Sequence, residues 1–344
     1  MGYPTRCGNA LQFQITIKKP TNSTDLKDEE PVWVYGTVIR STGSWYFVRL
    51  PDGRIMNCRL KGKFRIKGLR ATNPVAVGDH VTILTDPKVP DEGSITEIEQ
   101  RHNYIIRKSI NLSKESHIIA SNLDQAFLIV TLVQPRTSTG FIDRFLVTSE
   151  AYHIPVSLVF NKTDIYTAEL QVLHDTMSNL YREIGYHCYE VSALTGFGLD
   201  KLKEDMKDKV TLFSGHSGVG KSALINKIQP ELDLRTGIIS EAHQKGKHTT
   251  TFAEMFPLSF GGYIIDTPGI KEFGLVDFEK TEVAERFPEM RELMHLCQFH
   301  NCTHVHEPRC AVIQAVKEGR ISQSRYHNYI SIINDDYFEE TDWK

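Results

Sequence analysis

The chain has 344 residues, of which 40% are hydrophobic and 24% charged, and its formal net charge is −3 at pH 7. This length predicts about two or three domains, and the charge excludes nucleic-acid binding through overall basicity, so any basic surface must be local. Neither a secretory apolar segment nor a run near the ~20 apolar residues of a membrane span occurs, which predicts a cytoplasmic protein without membrane contact.

Residues 1–30 are polar, end in the acidic run DLKDEE and are predicted to form a flexible leader. From Pro31 the sequence changes to short runs of β-branched and aromatic residues with turn residues between them. These runs are VWVYGTVIR, SWYFVRL, RIMNCRL, HVTIL and SITEIEQ. Five such strands predict an all-β barrel, for which the OB-fold is the natural candidate, and we assign it to residues 31–103.

The barrel region carries a stretch of charge of one sign, because no acidic residue lies between Asp52 and Asp79. The cations in this interval are Arg54, Arg59, Lys61, Lys63, Arg65, Lys67 and Arg70. Alternation in KGKFRIK puts four of them on one strand face. A solvated face is the ordinary explanation, but on an OB-like barrel this charge favours RNA binding. The aromatic residues 45–47 could stack on bases or belong to the core.

After Arg107, nearly continuous apolar strands alternate with helical segments, which predicts a parallel sheet covered on both faces. The strands lie in AFLIVTLV, PVSLVF, CYEVSAL, VTLFSG and GYIIDTPG, and the helices in FIDRFLVTSEAYH, AELQVLHDTMSNLYREIG and LDKLKEDMKD. We assign this α/β domain to residues 104–274.

The sequence GHSGVGKS at residues 215–222 has the spacing of a phosphate-binding loop, and it lies between a predicted strand and a predicted helix. Its backbone N–H groups would contact phosphate oxygens, Lys221 would reach the β- and γ-phosphates, and Ser222 would hold Mg²⁺. The residues predicted to bind nucleotide here are Gly215, His216, Ser217, Gly218, Val219, Gly220, Lys221, Ser222 and Ala223.

Two earlier segments indicate that the base is guanine. Asp164 of NKTD could accept hydrogen bonds from guanine N1–H and the 2-amino group, neither of which adenine offers there. The segment SAL follows a later strand, where a backbone N–H for guanine O6 is expected. The predicted base-binding residues are Asn161, Lys162, Thr163, Asp164, Ser192, Ala193 and Leu194.

Two segments after the phosphate loop would complete the site. In DTPG, Asp266 would bind Mg²⁺ through water, and the Gly269 N–H would contact the γ-phosphate. HTTT lies in a Gly-, Lys- and His-rich segment typical of a mobile switch, where Thr250 is the preferred further Mg²⁺ ligand and Thr249 stays open.

The predicted catalytic residues are His248, Lys221 and Thr250. The residue after Gly269 is Ile270, which cannot orient water, so His248 either positions the attacking water or only shapes its loop. No arginine is placed to act in cis, which predicts slow hydrolysis accelerated by a partner.

These motifs follow the order NKTD, SAL, phosphate loop, HTTT and DTPG, whereas most GTPases begin with the phosphate loop. A circular permutation explains this order, because it keeps every sheet contact when the new ends fall in a surface connection. The sequence therefore predicts a circularly permuted P-loop GTPase domain.

The C-terminal region, residues 275–344, is predicted to be a mostly helical zinc-binding domain. Its sequence CQFHNCTHVHEPRC supplies three thiols and imidazoles, which suit tetrahedral Zn²⁺. The preferred ligands are Cys297, Cys302, His304 and Cys310, with His295, His300 and His306 as alternatives. A disulfide would leave an odd cysteine and needs an oxidising compartment.

An OB-like barrel, a permuted GTPase with HTTT and the spacing C-x4-C-x-H-x5-C together resemble the ribosome small-subunit-dependent GTPase A family, known as RsgA or YjeQ. The resemblance covers about residues 31–330. It implies a cytoplasmic GTPase that binds the 30S subunit, contacts 16S rRNA, is stimulated by the 30S particle and acts late in its maturation. It also implies a catalytic role for His248 and zinc held by the four preferred ligands.

We expect a monomer that binds GTP or GDP. Two alternatives stay open at this point. One is a GTP-dependent RNA-binding switch in which turnover is incidental, and the other is a P-loop ATPase or kinase, against which NKTD argues.

Overall fold

The computed structural model describes residues 32–61, 74–86, 88–89, 91–108, 116–234, 253–266 and 280–334. The predicted leader and most of the basic stretch after Lys61 lie outside the described residues, as do HTTT and residues 267–279. Within these described ranges, no helix combines the length and the apolar character needed to cross a membrane.

Five strands close the N-terminal barrel: β1 (Val32–Ser41), β2 (Tyr46–Arg49), β3 (Ile55–Leu60), β4 (His80–Thr85) and β5 (Glu92–Ile98). β1 pairs with β2 and β4, β2 pairs with β3, and β5 joins β3 to β4, so the ladder returns to its start. The predicted barrel is therefore confirmed, with inward-facing residues that form one core: Val38, Tyr46, Val48, Cys58, Ile83 and Ile95.

The aromatic residues 45–47 divide between core and surface, as strand alternation requires. Tyr46 is buried in the barrel core. The Arg59 and Arg40 guanidinium carbons lie 3.8 Å from the ring centroids of Trp45 and Phe47, respectively. Tyr46 is thus a core residue, and each of the other two rings has a cation on one face.

The central sheet is built from β8 (Gln125–Val130), β9 (Val156–Phe160), β10 (His187–Glu190), β11 (Val210–Ser214), β12 (Glu254–Pro257) and β13 (Tyr263–Asp266). Its order is β10-β9-β8-β11-β13-β12, in which the first five strands are parallel. The phosphate-loop strand β11 therefore lies in the middle. From β8 the chain continues outward to β9, whereas from β11 it continues to the other side, toward β12 and β13. Open α/β sheets bind ligands at such a reversal, at the carboxyl ends of their strands.

Four helices cover the two faces of this sheet: α1 (Thr139–Ala151), α2 (Ala168–Ile184), α3 (Leu199–Met206) and α4 (Lys221–Ile228). Strand alternation supplies a separate apolar core for each face. Leu128 and Leu158 pack with Phe145 of α1, whereas Phe127 and Val159 belong to the cluster under α3 and α4. The predicted doubly covered parallel sheet is confirmed.

The antiparallel strand β12, the last strand of the central sheet, was not predicted from the sequence. It pairs with β13, and it also pairs with β1 of the barrel where Arg40 lies opposite Glu254. An ion pair of 3.6 Å joins these two side chains. The barrel and the central sheet therefore form one hydrogen-bonded ladder of 11 strands.

A second connection passes through a small separate sheet of β6 (Tyr104–Lys108) and β7 (Ser116–Ser121). The buried carboxylate of Asp79 accepts hydrogen bonds from Arg101 Nε and Ser121 Oγ, both at 2.6 Å. These contacts fix the end of the barrel against the start of the central domain.

The C-terminal module, residues 280–334, contains α5 (Lys280–Glu285), α6 (Pro288–Met294), α7 (Ala311–Lys317) and α8 (Gln323–Ile333). The segment VAERFPEMRELM, residues 283–294, is divided between α5 and α6 rather than forming one helix. Pro288 lacks an N–H and begins α6 at its first turn, so the helix breaks at Phe287. The module packs its core on α1 through Val147.

Candidate nucleotide and metal sites

The phosphate loop, residues 215–222, joins β11 to α4 through glycines with positive φ. Gly215 has φ 145° and Gly220 has φ 95°. A Cβ on Gly220 would lie 2.5 Å from Asn161 Nδ2, and one on Gly215 would lie 2.6 Å from the Ile129 carbonyl oxygen. Only glycine therefore permits this backbone and its close approach to the neighbouring strands.

Lys221 begins α4 and lies buried within the phosphate loop. Its Nζ donates to the carbonyl oxygens of Gly215 at 2.5 Å and His216 at 2.9 Å. Burial lowers the pKa of Lys221, and the nearby Asp266 carboxylate opposes this shift. The N-cap residue Gly220 gives α4 no side-chain cap, so the first N–H groups of the helix are available to an anion.

Asn161 connects the phosphate loop with the SAL segment, residues 192–194. Its Nδ2 donates to the Val219 carbonyl oxygen at 2.8 Å, and its Oδ1 accepts from the Ala193 N–H at 3.1 Å. Lys162 Nζ donates to the Gly218 carbonyl oxygen at 2.9 Å. Two side chains of NKTD therefore reach the phosphate loop, although the two segments are about 50 residues apart in sequence.

Asp164 is exposed at the surface and contacts the SAL segment. Ser192 Oγ donates to Asp164 Oδ1 at 2.5 Å, and Thr163 Oγ1 donates to the Val191 carbonyl oxygen at 3.1 Å. The Ala193 N–H donates to Asn161 Oδ1, so it links the SAL segment to NKTD. Leu194 is 77% exposed.

Two of the predicted Mg²⁺ ligands are among the described residues, on neighbouring elements of the central domain. Asp266 ends β13 directly opposite Phe213 of β11, and Ser222 lies in the first turn of α4. The predicted residues His248, Thr249, Thr250, Gly269 and Ile270 lie outside the described residues.

Sequence reasoning missed the contact between the phosphate loop and α1. The His216 ring stacks on Phe141 with 3.8 Å between centroids, so this side chain packs against α1 while its carbonyl oxygen accepts from Lys221. Pro135, in the connection before α1, would lie 3.3 Å from a Cβ on Gly218. No local signal in the sequence indicates either contact.

Four side chains of the C-terminal module converge, and they are the four preferred metal ligands. The ligand atoms of Cys297, Cys302, His304 and Cys310 all lie within 4.8 Å of one another. His304 Nδ1 is 3.3 Å from Cys310 Sγ and 3.6 Å from Cys297 Sγ. His295, His300 and His306 are outside this group. The cluster could hold a metal ion.

Burial raises the pKa of the Cys302 thiol to about 12. A divalent cation among these sulfurs would favour the thiolate form that metal binding requires. Three thiols and one imidazole at this separation therefore fit a tetrahedral metal ion.

The cluster is supported by contacts that its sequence motif does not reveal. The Glu307 carboxylate accepts from the Thr303 hydroxyl at 2.5 Å, the Thr303 N–H at 2.7 Å and the Val305 N–H at 3.0 Å. Burial raises the pKa of Glu307, but these hydrogen bonds together outweigh burial and lower it. Tyr326 Oη donates to the His304 carbonyl oxygen at 2.7 Å. These bonds fix the loop that carries His304, whose φ is 56°.

The C-terminal module is joined to the central domain through a buried ionic cluster. Arg325 Nη1 donates to Asp143 Oδ1 of α1 at 2.6 Å, and its Nε donates to Glu289 Oε1 at 2.7 Å. Tyr181 Oη and Asn328 Nδ2 also donate to the Asp143 carboxylate.

Two family models match the barrel and the central domain of the chain. The family model for the RsgA GTPase matches residues 98–276, and that for the RsgA N-terminal domain matches residues 35–95. The small ribosomal subunit biogenesis GTPase RsgA of Phocaeicola vulgatus is 57% identical over 302 residues, with 87% of this chain and 96% of the relative covered. The protein of the same name from Christiangramia forsetii is 54% identical over 299 residues, with 87% and 95% covered.

Two solved structures also match most of the chain. The crystal structure of YjeQ from Thermotoga maritima has a TM-score of 0.71 at 33% identity, with 88% of this chain and 98% of that chain covered. YloQ, described as a circularly permuted GTPase, has a TM-score of 0.67 at 30% identity, with 92% and 100% covered. Because matches at this identity extend over nearly the whole of each relative, the chain belongs to the RsgA GTPase family.

Proposed function

We propose that this protein hydrolyses GTP and acts in biogenesis of the small ribosomal subunit, the role that the names of its relatives state. The main support is Asn161, which bonds to Val219 of the phosphate loop and to Ala193 of SAL at 2.8 and 3.1 Å. One side chain thus connects the segment that would hold phosphates with the segments that would hold the base.

In this proposal the phosphates bind at the N-terminus of α4, where backbone N–H groups and Lys221 meet. Lys221 Nζ would exchange the carbonyl oxygens of Gly215 and His216 for phosphate oxygens. Phosphate charge would oppose the effect of burial on the pKa of Lys221 and keep it an ammonium. Ser222 and Asp266 would hold Mg²⁺, which supplies positive charge to the phosphate oxygens when bound.

Guanine selectivity is assigned to Asp164. Ser192 Oγ engages Oδ1 of this carboxylate at 2.5 Å, which orients the group and leaves acceptor capacity for guanine N1–H and the 2-amino group. Adenine offers no such donors at this position, so its nucleotides would leave the carboxylate unpaired.

For hydrolysis we retain His248 and Thr250 as catalytic residues and Gly269 as a γ-phosphate contact. His248 would position the attacking water, since no glutamine follows DTPG. The absence of a cis arginine in the motifs supports stimulation by the 30S subunit.

We propose that the four-residue cluster of the C-terminal module binds one structural Zn²⁺. A Cys3His donor set with no position left for substrate is typical of a structural rather than a catalytic zinc site. The metal would stabilise a module with a small apolar core.

The barrel is proposed to contact 16S rRNA. Arg54 and Lys61 are described cations of the predicted basic stretch, and the third, Arg59, lies over Trp45. A guanidinium on an aromatic ring is a surface on which bases can stack.

The same proposal divides the chain into three domains, at residues 31–103, 104–274 and 275–344. It also includes a monomeric state and a cytoplasmic location.

The test is GTP hydrolysis titrated with purified 30S subunits, with zinc measured on the same sample. We expect slow basal turnover, a rise on addition of 30S subunits and one zinc per chain. No stimulation would contradict the ribosomal role. ATP that competes as well as GTP would contradict the assignment of Asp164.

A further inference from the structure

His174 of α2 is fully buried beneath the predicted guanine-binding loops, and the proposed reaction does not use it. Its ring packs edge-on against Phe160, with centroids 4.8 Å apart, and lies 5.8 Å from the Tyr166 ring. Phe160 immediately precedes NKTD, and Tyr166 immediately follows the helical turn Thr163–Ile165. His174 therefore contacts the chain on both sides of Asp164.

Each nitrogen of this imidazole faces a carboxylate. Nδ1 is 3.0 Å from Asp175 Oδ1, and Nε2 is 3.7 Å from Glu190 Oε1. Gln171 Nε2 lies 3.4 Å from Nδ1, and Arg182 lies 3.5 Å from the same Glu190 oxygen. These are the polar and charged groups that α2 and β10 present to the ring.

The contact with Glu190 leads to the second loop. Glu190 ends β10, and the next residues are Val191, whose carbonyl oxygen accepts from Thr163, and Ser192, whose hydroxyl donates to Asp164. Displacement of the end of β10 would therefore change the position of the Asp164 carboxylate.

Stability alone does not explain a histidine here. Its Nε2 is buried and makes no hydrogen bond within the described residues, and the same holds for Tyr166 Oη. A buried polar atom without a hydrogen bond is unfavourable, and an apolar ring would fill the same space without that cost.

We propose that His174 is a positioning residue for guanine recognition, which holds NKTD and the end of β10 in fixed relation so that Asp164 meets the base. This inference rests on the proposed role of Asp164.

The test compares dissociation constants for GTP and ITP, because inosine lacks the 2-amino group that Asp164 would bind. His174→Phe keeps the ring and removes both nitrogens. We expect GTP affinity to fall about tenfold and ITP affinity to fall less, while kcat at saturating GTP stays unchanged. His174→Gln, which keeps a donor toward Asp175, should recover part of the preference for GTP.

Tyr181→Phe is the matched control, since Tyr181 is buried on the same helix but bonds to Asp143, away from the base. It should destabilise the fold and leave the ratio of the two dissociation constants at the wild-type value. If His174→Phe does not fold, Glu190→Gln removes the carboxylate facing Nε2 at a partly exposed position. Its control is Glu183→Gln, the same substitution at an exposed position of α2, which should leave the preference for GTP at the wild-type value.

Two negative results have different meanings. If wild type and Asp164→Ala both bind GTP and ITP equally, the proposed role of Asp164 is wrong, and the inference on His174 is overturned with it. If Asp164→Ala abolishes the preference while His174→Phe and Glu190→Gln keep it, only the role of His174 is overturned.

Discussion

Replacing Arg325 with methionine tests whether buried charges hold the C-terminal module on the central domain. Arg325 and Asp143 are 1% and 0% exposed, and their side chains approach to 2.6 Å. The variant keeps most of the side-chain volume and removes the guanidinium, so that the Asp143 carboxylate stays buried without its counter-charge.

The expected loss of folding free energy depends on the groups that still contact Asp143 in the variant. Removal of one partner from a buried pair costs about 3–5 kcal/mol. Tyr181 and Asn328 still donate to the carboxylate, and Glu289, whose side chain is 13% exposed, can recruit water. We therefore expect about 3 kcal/mol, at the low end of the range, or roughly a 100-fold change in the equilibrium that docks this module.

The loss of folding free energy in Arg325→Met should depend on pH in a defined direction. Burial raises the pKa of Asp143, and Arg325 opposes this shift. Without Arg325 the folded-state pKa rises further above the unfolded value of about 3.9. The folded variant then binds a proton more readily than the unfolded chain, so its deficit is smallest below that unfolded value and grows as pH rises through the folded pKa.

The assay is urea unfolding combined with amide exchange in α6 and α8, with β11 as internal reference. Arg320→Met is the matched control, because Arg320 is 54% exposed and pairs with Glu318 at the surface of the same module. Such an exposed ion pair contributes less than about 1 kcal/mol to stability. Adding Asp143→Leu to Arg325→Met should recover much of the loss. Equal effects of Arg325→Met and Arg320→Met would refute the reasoning.

The other predictions concern the proposed sites. Lys221→Ala should lower kcat at least about 100-fold without unfolding the chain, and a turnover assay with wild-type activity would contradict its role. Asn161→Ala removes both links between the loops and should weaken GTP binding about tenfold or more, measured by titration calorimetry; unchanged affinity would argue against the brace. Asp164→Asn should shift preference from GTP toward XTP, whose 2-oxo group accepts from the new amide, and retained GTP preference would exclude the base contact. Cys310→Ser should lose the bound zinc and increase amide exchange in α7, whereas a full equivalent of zinc in the variant would exclude Cys310 as a ligand.

The sequence alone determined the features that depend on local chemistry. The spacing of residues 215–222 requires glycine where φ is positive, and the strand and helix around it follow from hydrophobic periodicity. The four preferred metal ligands lie within 14 residues, so a short loop can bring them together. The permuted order of motifs was equally readable, because each motif is a contiguous segment.

Only the tertiary structure decided which distant segments meet. The pairing of β12 with β1, the stacking of Phe141 on His216 and the bond from Arg325 to Asp143 join residues far apart in sequence, and none has a local pattern. The same holds for His174, whose position on α2 resembles that of an ordinary polar residue until packing places it against both loops that are proposed to bind the base. Backbone propensity and residue spacing act over a few residues, whereas these contacts depend on how complete strands and helices pack, and packing is a property of the whole chain.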